Sequence, residues 1–230
     1  PIYYVDGDVP DTKPILGDDN KYMLFDKGLP EPFSGVMGTI KNYYEHFVEK
    51  AEKYYYKGAK VIVPKYVPGM SSDGPLTTAC NIRGTTQFCL DMMLDPEYAH
   101  SLLDYITEAT IKRIQAWMEY MGLPKLASGW GFADDSIQLI SYDLYKEMIL
   151  PYHKRIVESV TAPDAYISMH LCGDASRHFK IISEELNVKE FDTGFPIDHG
   201  NVVKELGKEV TIYGGPHVEI LRSAKPEEVY

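Results

Sequence analysis

The chain has no apolar run long enough to span a bilayer, and its N-terminus lacks a charged-then-apolar signal pattern. It is also short of positive charge: 23 Lys and Arg stand against 34 Asp and Glu, a formal net charge of -11. Phosphate binding needs clustered Lys and Arg, so nucleic acid is excluded as a general partner. Anionic membrane surfaces are disfavoured for the same reason. Cysteine is scarce. Cys80, Cys89 and Cys172 are too few for a disulfide framework in 230 residues, which points to a reducing, cytoplasmic setting with free thiols. No GxGxxG or Walker loop is present to favour a nucleotide site. What is present, 44% hydrophobic and 25% charged residues, is ordinary for a globular protein with one sizeable core. The chain begins at Pro1 without Met and stops in what reads as the first turn of a helix, so it is expected to be part of a longer protein.

Residues 6–37 are rich in Asp, Gly and Pro, as in Asp6-Gly7-Asp8, and read as loop with short strand pieces. Apolar spacing at Ile40, Tyr44, Phe47, Val48, Ala51 and Tyr55 predicts a helix over 38–58, closed by Gly58. Val61-Ile62-Val63 reads as a short buried strand and 68–75 as a loop. The clearest helix starts at Asp95, with Pro96 at its first position and a stripe of Leu103, Ile106, Ile114, Trp117 and Met121. Ser141 looks like the cap of another helix, which Pro151 should bend or break. From Ala165 the rhythm becomes regular. Strands at 165–169, 188–191 and 210–213 alternate with helices around 175–186, 199–206 and after Gly214-Gly215-Pro216. That alternation implies a parallel sheet with helical crossovers. In a (β/α)8 barrel or a doubly wound sheet, ligands bind at the C-terminal ends of such strands.

Chemistry-bearing residues stand at those ends. His170 and Cys172 follow the strand at 165–169 and suit half of a zinc site, imidazole nitrogen and thiolate sulfur both being zinc ligands. Asp134 and Asp135 follow the run Gly129-Trp130-Gly131-Phe132-Ala133. One could complete a metal shell or bind substrate, or either could cap the next turn. Asp192, Asp198 and His199 follow the next strand, and His217 and Glu219 the last; these are expected to line a pocket, with an N-cap role open for Asp198 and a simple turn for His217. His153, inside a helix, is expected at the surface or in support of the site. Cys80 and Cys89 are expected to pack in the core.

The order of Gly74-Pro75-Leu76-Thr77, a long helix, Asp134-Asp135, Leu150-Pro151-Tyr152, His170-Leu171-Cys172-Gly173-Asp174, Asp192, Gly214-Gly215-Pro216 and Lys225-Pro226-Glu227-Glu228-Val229 resembles the uroporphyrinogen decarboxylase superfamily. Within it the chain is most similar to the cobalamin-dependent methyltransferase branch, from residue 60 to the end. The resemblance implies an α/β TIM (β/α)8 barrel, incomplete at both ends here, as one partial domain over 1–230 with 1–37 as its loop-rich N-terminal segment. It implies zinc on His170 and Cys172. The family's further Cys ligand would fall beyond Tyr230, and Asp135 or His217 could stand in for it. It also implies catalytic roles for Asp134 and Asp135, and substrate contacts from Asp192, Asp198, His199 and His217. The implied reaction is methyl transfer between a small methyl donor or acceptor and a corrinoid (methylcobalamin), itself carried by a corrinoid protein. Decarboxylation of a tetrapyrrole is the alternative reaction, and a non-catalytic corrinoid-binding barrel the alternative role. Gly214-Gly215-Pro216-His217 stands where the decarboxylases have Gly-Asn-x-Asp-Pro, which counts against porphyrinogen chemistry.

Overall fold

The computed structural model describes residues 2–3, 11–66 and 68–229. Pro1, Asp6-Gly7-Asp8 and Tyr230 lie outside the described residues. Two antiparallel hairpins, β1 (Ile2–Tyr3) with β2 (Asp11–Thr12) and β3 (Tyr55–Tyr56) with β4 (Ala59–Lys60), accompany the first two helices, α1 (Met23–Lys27) and α2 (Val36–Ala51). The helix expected over 38–58 therefore stops seven residues early. Lys57 and Gly58 both have positive φ, 49° and 82°, which is the two-residue turn that matches strand twist. Gly58 closes a hairpin, and the Tyr54-Tyr55-Tyr56 run supplies strand formers. Val61-Ile62-Val63 forms no strand, and Ile62 is 80% exposed. The Val61 amide donates to the Tyr54 carbonyl at 3.1 Å beside the hairpin, but among the described residues no strand pairs with the rest of the run, which stays irregular.

Helices α3 (Pro75–Arg83) and α4 (Thr85–Leu94) follow, hinged at Gly84. Helix α5 (Pro96–Tyr120) starts as its sequence predicts, with the Asp95 carboxylate accepting the Tyr98 amide at 3.3 Å. Its stripe of Leu103, Ile106, Ile114, Trp117 and Met121 is buried. Ser141 caps α6 (Tyr142–Leu144) through its hydroxyl, and a π-helical turn over Tyr145–Ile149 joins it to α7 (Leu150–Val160). The expected break at Pro151 takes this form: the widened turn comes just before the residue that cannot donate.

The sheet is parallel throughout, in the order β5 (Ala127–Ala133), β6 (Thr161–Leu171), β7 (Val188–Thr193), β8 (Thr211–Tyr213). Helices α6–α7 cross from β5 to β6, α8 (Ser176–Leu186) from β6 to β7 and α9 (His199–Leu206) from β7 to β8, and α10 (Val218–Ser223) and α11 (Pro226–Val229) follow β8. Asp73 adds a parallel bridge to Ala133 on the other side of β5, so the 72–74 segment occupies a fifth position in the array. Along β6 the two faces separate cleanly. Ala165, Ile167, Met169 and Leu171 are at most 2% exposed and pack under the helices, each large side chain stabilising by about 1.5–3 kcal/mol. Tyr166, Ser168 and His170 point to the concave face.

Candidate metal centre and cleft

Strand register decides what meets on the concave face. Ala133 pairs with His170, His170 with Asp192, and Asp192 with Tyr213, while Asp73 bridges to Ala133. One layer lower, Gly131 pairs with Ser168 and Ser168 with Glu190. A TIM-barrel interior is ordinarily filled by Val, Ile and Leu. Here Gly, Ala and Ser leave a cleft of about 690 Å³, lined by Tyr66, Asp73, Ser168, His170, Glu190 and Asp192 among others. A Cβ at Gly131 would lie 2.5 Å from the Ser168 hydroxyl, so a side chain there would have to displace that hydroxyl. A second depression of about 660 Å³, lined by Phe25, His100, Asp104 and Tyr152, holds none of the residues singled out for the site.

At the rim of the cleft, His170 Nδ1 lies 2.8 Å from Asp192 Oδ2, and His170 Nε2 lies 3.0 Å from Cys172 Sγ. The carboxylate keeps the ring proton on Nδ1, so the Nε2 lone pair faces the sulfur. Asp135 comes in from the end of β5, its Oδ1 accepting the Cys172 amide at 2.6 Å. Donor atoms of Asp135, His170 and Cys172 lie within 4.8 Å of one another. Nitrogen, sulfur and oxygen from three protein groups form a donor set that fits zinc and leaves a position for substrate. Burial, then the neighbouring Asp135 and Asp192 charges, push the Cys172 thiol above its usual range. A bound cation would reverse that, favouring the thiolate.

Asp134 is placed differently from Asp135. It is fully buried, with Oδ1 accepting the Thr77 amide and hydroxyl, each at 2.7 Å, and Oδ2 accepting the Leu76 amide at 3.2 Å and His153 Nε2 at 2.8 Å. Every lone pair is occupied by the chain itself, so the expected catalytic contact with substrate has no free acceptor. Gly74 at the N-terminus of α3 has no side chain to cap with; Asp134 caps it from across the sheet. A Cβ on Gly74 would sit 2.3–2.5 Å from the Asp134 side chain. His153, expected at the surface or in support, is buried behind Asp134.

Asp192 lines the cleft and orients His170. Asp198 caps α9, accepting the Asn201 amide at 3.0 Å; it is exposed and outside the cleft lining. His199 lies 3.2 Å from the Thr193 hydroxyl, and His217 accepts the Glu219 amide and packs on Phe195. Neither joins the Asp135–His170–Cys172 group among the described residues. Sequence reasoning missed Asp73. Burial, with Asp134 and Asp135 nearby, raises its carboxyl above the usual range. Arg113 holds its loop, donating to the carbonyls of Gly69 at 2.6 Å and Ser71 at 3.0 Å. The Ser71-Ser72-Asp73-Gly74 stretch carries no periodic signal that could have marked it. Among the described residues no helix is long and apolar enough to cross a membrane.

Two relatives of known role come from methanogens. The methylated-thiol–coenzyme M methyltransferase of Methanosarcina mazei is 28% identical over 165 residues, covering 68% of this chain and 41% of that protein. The methylcobamide:CoM methyltransferase MtbA of Methanosarcina acetivorans is 25% identical over 156 residues, covering 68% and 44%. The chain thus spans about half the length of the curated relatives it matches. A solved methyltransferase from Methanosarcina mazei superposes with a TM-score of 0.63 over 93% of this chain and 58% of that one, at 16% identity, which shows a shared fold. Residues 45–230 match the family described as uroporphyrinogen decarboxylase (URO-D), and the chain belongs to that family, forming part of its TIM barrel.

Proposed function

We propose that Asp135, His170 and Cys172 hold zinc in an enzyme that moves a methyl group between a small methylated substrate or thiol and a corrinoid carried by a partner protein. The observation that carries this reading is the convergence of carboxylate, imidazole and thiol within 4.8 Å at the C-terminal rim of a parallel sheet, beside a cleft. The names of the relatives, a methylated-thiol and a methylcobamide methyltransferase, support it. Zinc, when bound, lowers the pKa of a thiol and presents it as a thiolate nucleophile. Asp192 fixes the His170 ring so that Nε2 faces the metal position, and Asp135 fixes the Cys172 backbone. Asp192 and Glu190 give the cleft an acidic wall, and no Lys or Arg among the described residues lines it. That sign opposes a porphyrinogen bearing several acetates, so tetrapyrrole decarboxylation ranks second. The whole of 1–230 acts here as one partial barrel domain, and a reducing cytoplasm suits the exposed, unbridged Cys172.

The test is metal content. Wild-type protein titrated with zinc chloride against a chromophoric chelator should bind one equivalent, and His170→Ala and Cys172→Ala should each abolish tight binding. Wild-type protein that takes up no zinc overturns the reading.

A further inference from the structure

We propose that Thr77 and His153 are positioning residues for the metal centre, acting through the buried Asp134 carboxylate to set its neighbour Asp135 against Cys172. The inference rests on the zinc reading above. Asp134 and Asp135 are consecutive, yet one is sealed in the core and the other faces the site. What separates them is a bracket. The Thr77 hydroxyl donates to Asp134 Oδ1 at 2.7 Å and accepts the Ser136 amide at 2.9 Å, so the chain on each side of Asp135 is pinned to the first turn of α3. From the other side, His153 Nε2 donates to Asp134 Oδ2 at 2.8 Å. The carboxylate can only accept, so it keeps the ring proton on Nε2, and His153 Nδ1 accepts the Tyr145 hydroxyl at 3.1 Å. Asp135 emerges between these anchors and receives the Cys172 amide at 2.6 Å.

Capping α3 would need only the bonds from Asp134 to the Leu76 and Thr77 amides. The bond from Ser136 to the Thr77 hydroxyl adds nothing to that cap. Its effect is to fix the direction in which Asp135 leaves the backbone. Groups that orient ligands without touching the metal typically change metal affinity about 10–100-fold when removed.

Thr77→Val keeps the side-chain shape and deletes both hydroxyl bonds; Thr77→Ser restores the hydroxyl. Zinc affinity should fall about 10–100-fold in Thr77→Val and recover in Thr77→Ser. The Cys172 amide of the metal-free protein should exchange its hydrogen faster in Thr77→Val, because its acceptor has moved. A lowered unfolding midpoint with zinc affinity and Cys172 exchange both unchanged would overturn the proposal. If Thr77→Val does not fold, His153→Gln, which keeps a donor for Asp134, compared with His153→Phe, which does not, reads the same two quantities. Wild type that binds no zinc while Cys172 exchange still responds leaves the bracket standing and removes the zinc reading. Wild type that binds zinc with both readouts unmoved by Thr77→Val does the reverse.

Discussion

Asp134→Asn separates a buried structural carboxylate from one that meets substrate. The substitution exchanges one oxygen for an amide donor in a site built almost wholly of donors. The remaining oxygen can still accept from the Thr77 amide and hydroxyl. The new NH2 then faces the Leu76 amide and His153. His153 can change tautomer and accept, but the Leu76 N–H is left buried without a partner, which costs about 1–3 kcal/mol. The retained bonds lose their charge assistance, and the N-terminus of α3 loses its anion, worth a further ~0.5–2 kcal/mol in a buried setting. Together these give a destabilisation of about 1.5–5 kcal/mol. Urea unfolding followed by the fluorescence of Trp117 and Trp130 measures it. Asp198→Asn is the control: Asn caps a helix as well as Asp at that exposed position, and the change should stay within about 0.5 kcal/mol. An Asp134→Asn protein of wild-type stability that has lost methyl transfer would refute the argument and return Asp134 to the substrate.

His178 is buried with Nε2 donating to the Ile137 carbonyl, and burial pushes its pKa down to about 4. The unfolded chain binds that proton near pH 6.5, so the stability tied to neutral His178 is complete above that pH. It is lost as pH falls toward 4, up to about 3 kcal/mol. His178→Gln should flatten the difference between urea midpoints at pH 7 and pH 4.5; an unchanged difference refutes it. Arg83 and Asp91 form a buried pair at 2.7 Å, with Arg83 also reaching Asp18 and the Leu16 carbonyl. Arg83→Met strands the Asp91 charge and should cost about 3–5 kcal/mol, and adding Asp91→Leu should recover part of that loss in the same unfolding assay.

Helix α5, the β6–α8–β7–α9 rhythm and the strand-end position of His170 and Cys172 were legible because each rests on local rules: an Asp-Pro start, an apolar stripe, alternating periods. The early part of the chain was less legible. A tyrosine run fits a helical stripe and a hairpin equally well, and only the positive φ of Lys57 and Gly58 selects the hairpin. The Val61-Ile62-Val63 run shows the limit from the other side, since β-prone residues specify a strand only when another strand is there to receive them.

The candidate site divides the same way. The sequence alone placed a His and a Cys after a strand of a parallel sheet and two adjacent carboxylates after another apolar run. It could not say which of Asp134 and Asp135 faces the metal, because adjacent residues share every local signal. Tertiary structure decided that. Parallel register set Asp192 beside His170, and the uncapped N-terminus of α3 drew Asp134 into the core, where burying a charge demands a full set of donors. Asp135, one residue on, was left to point at Cys172.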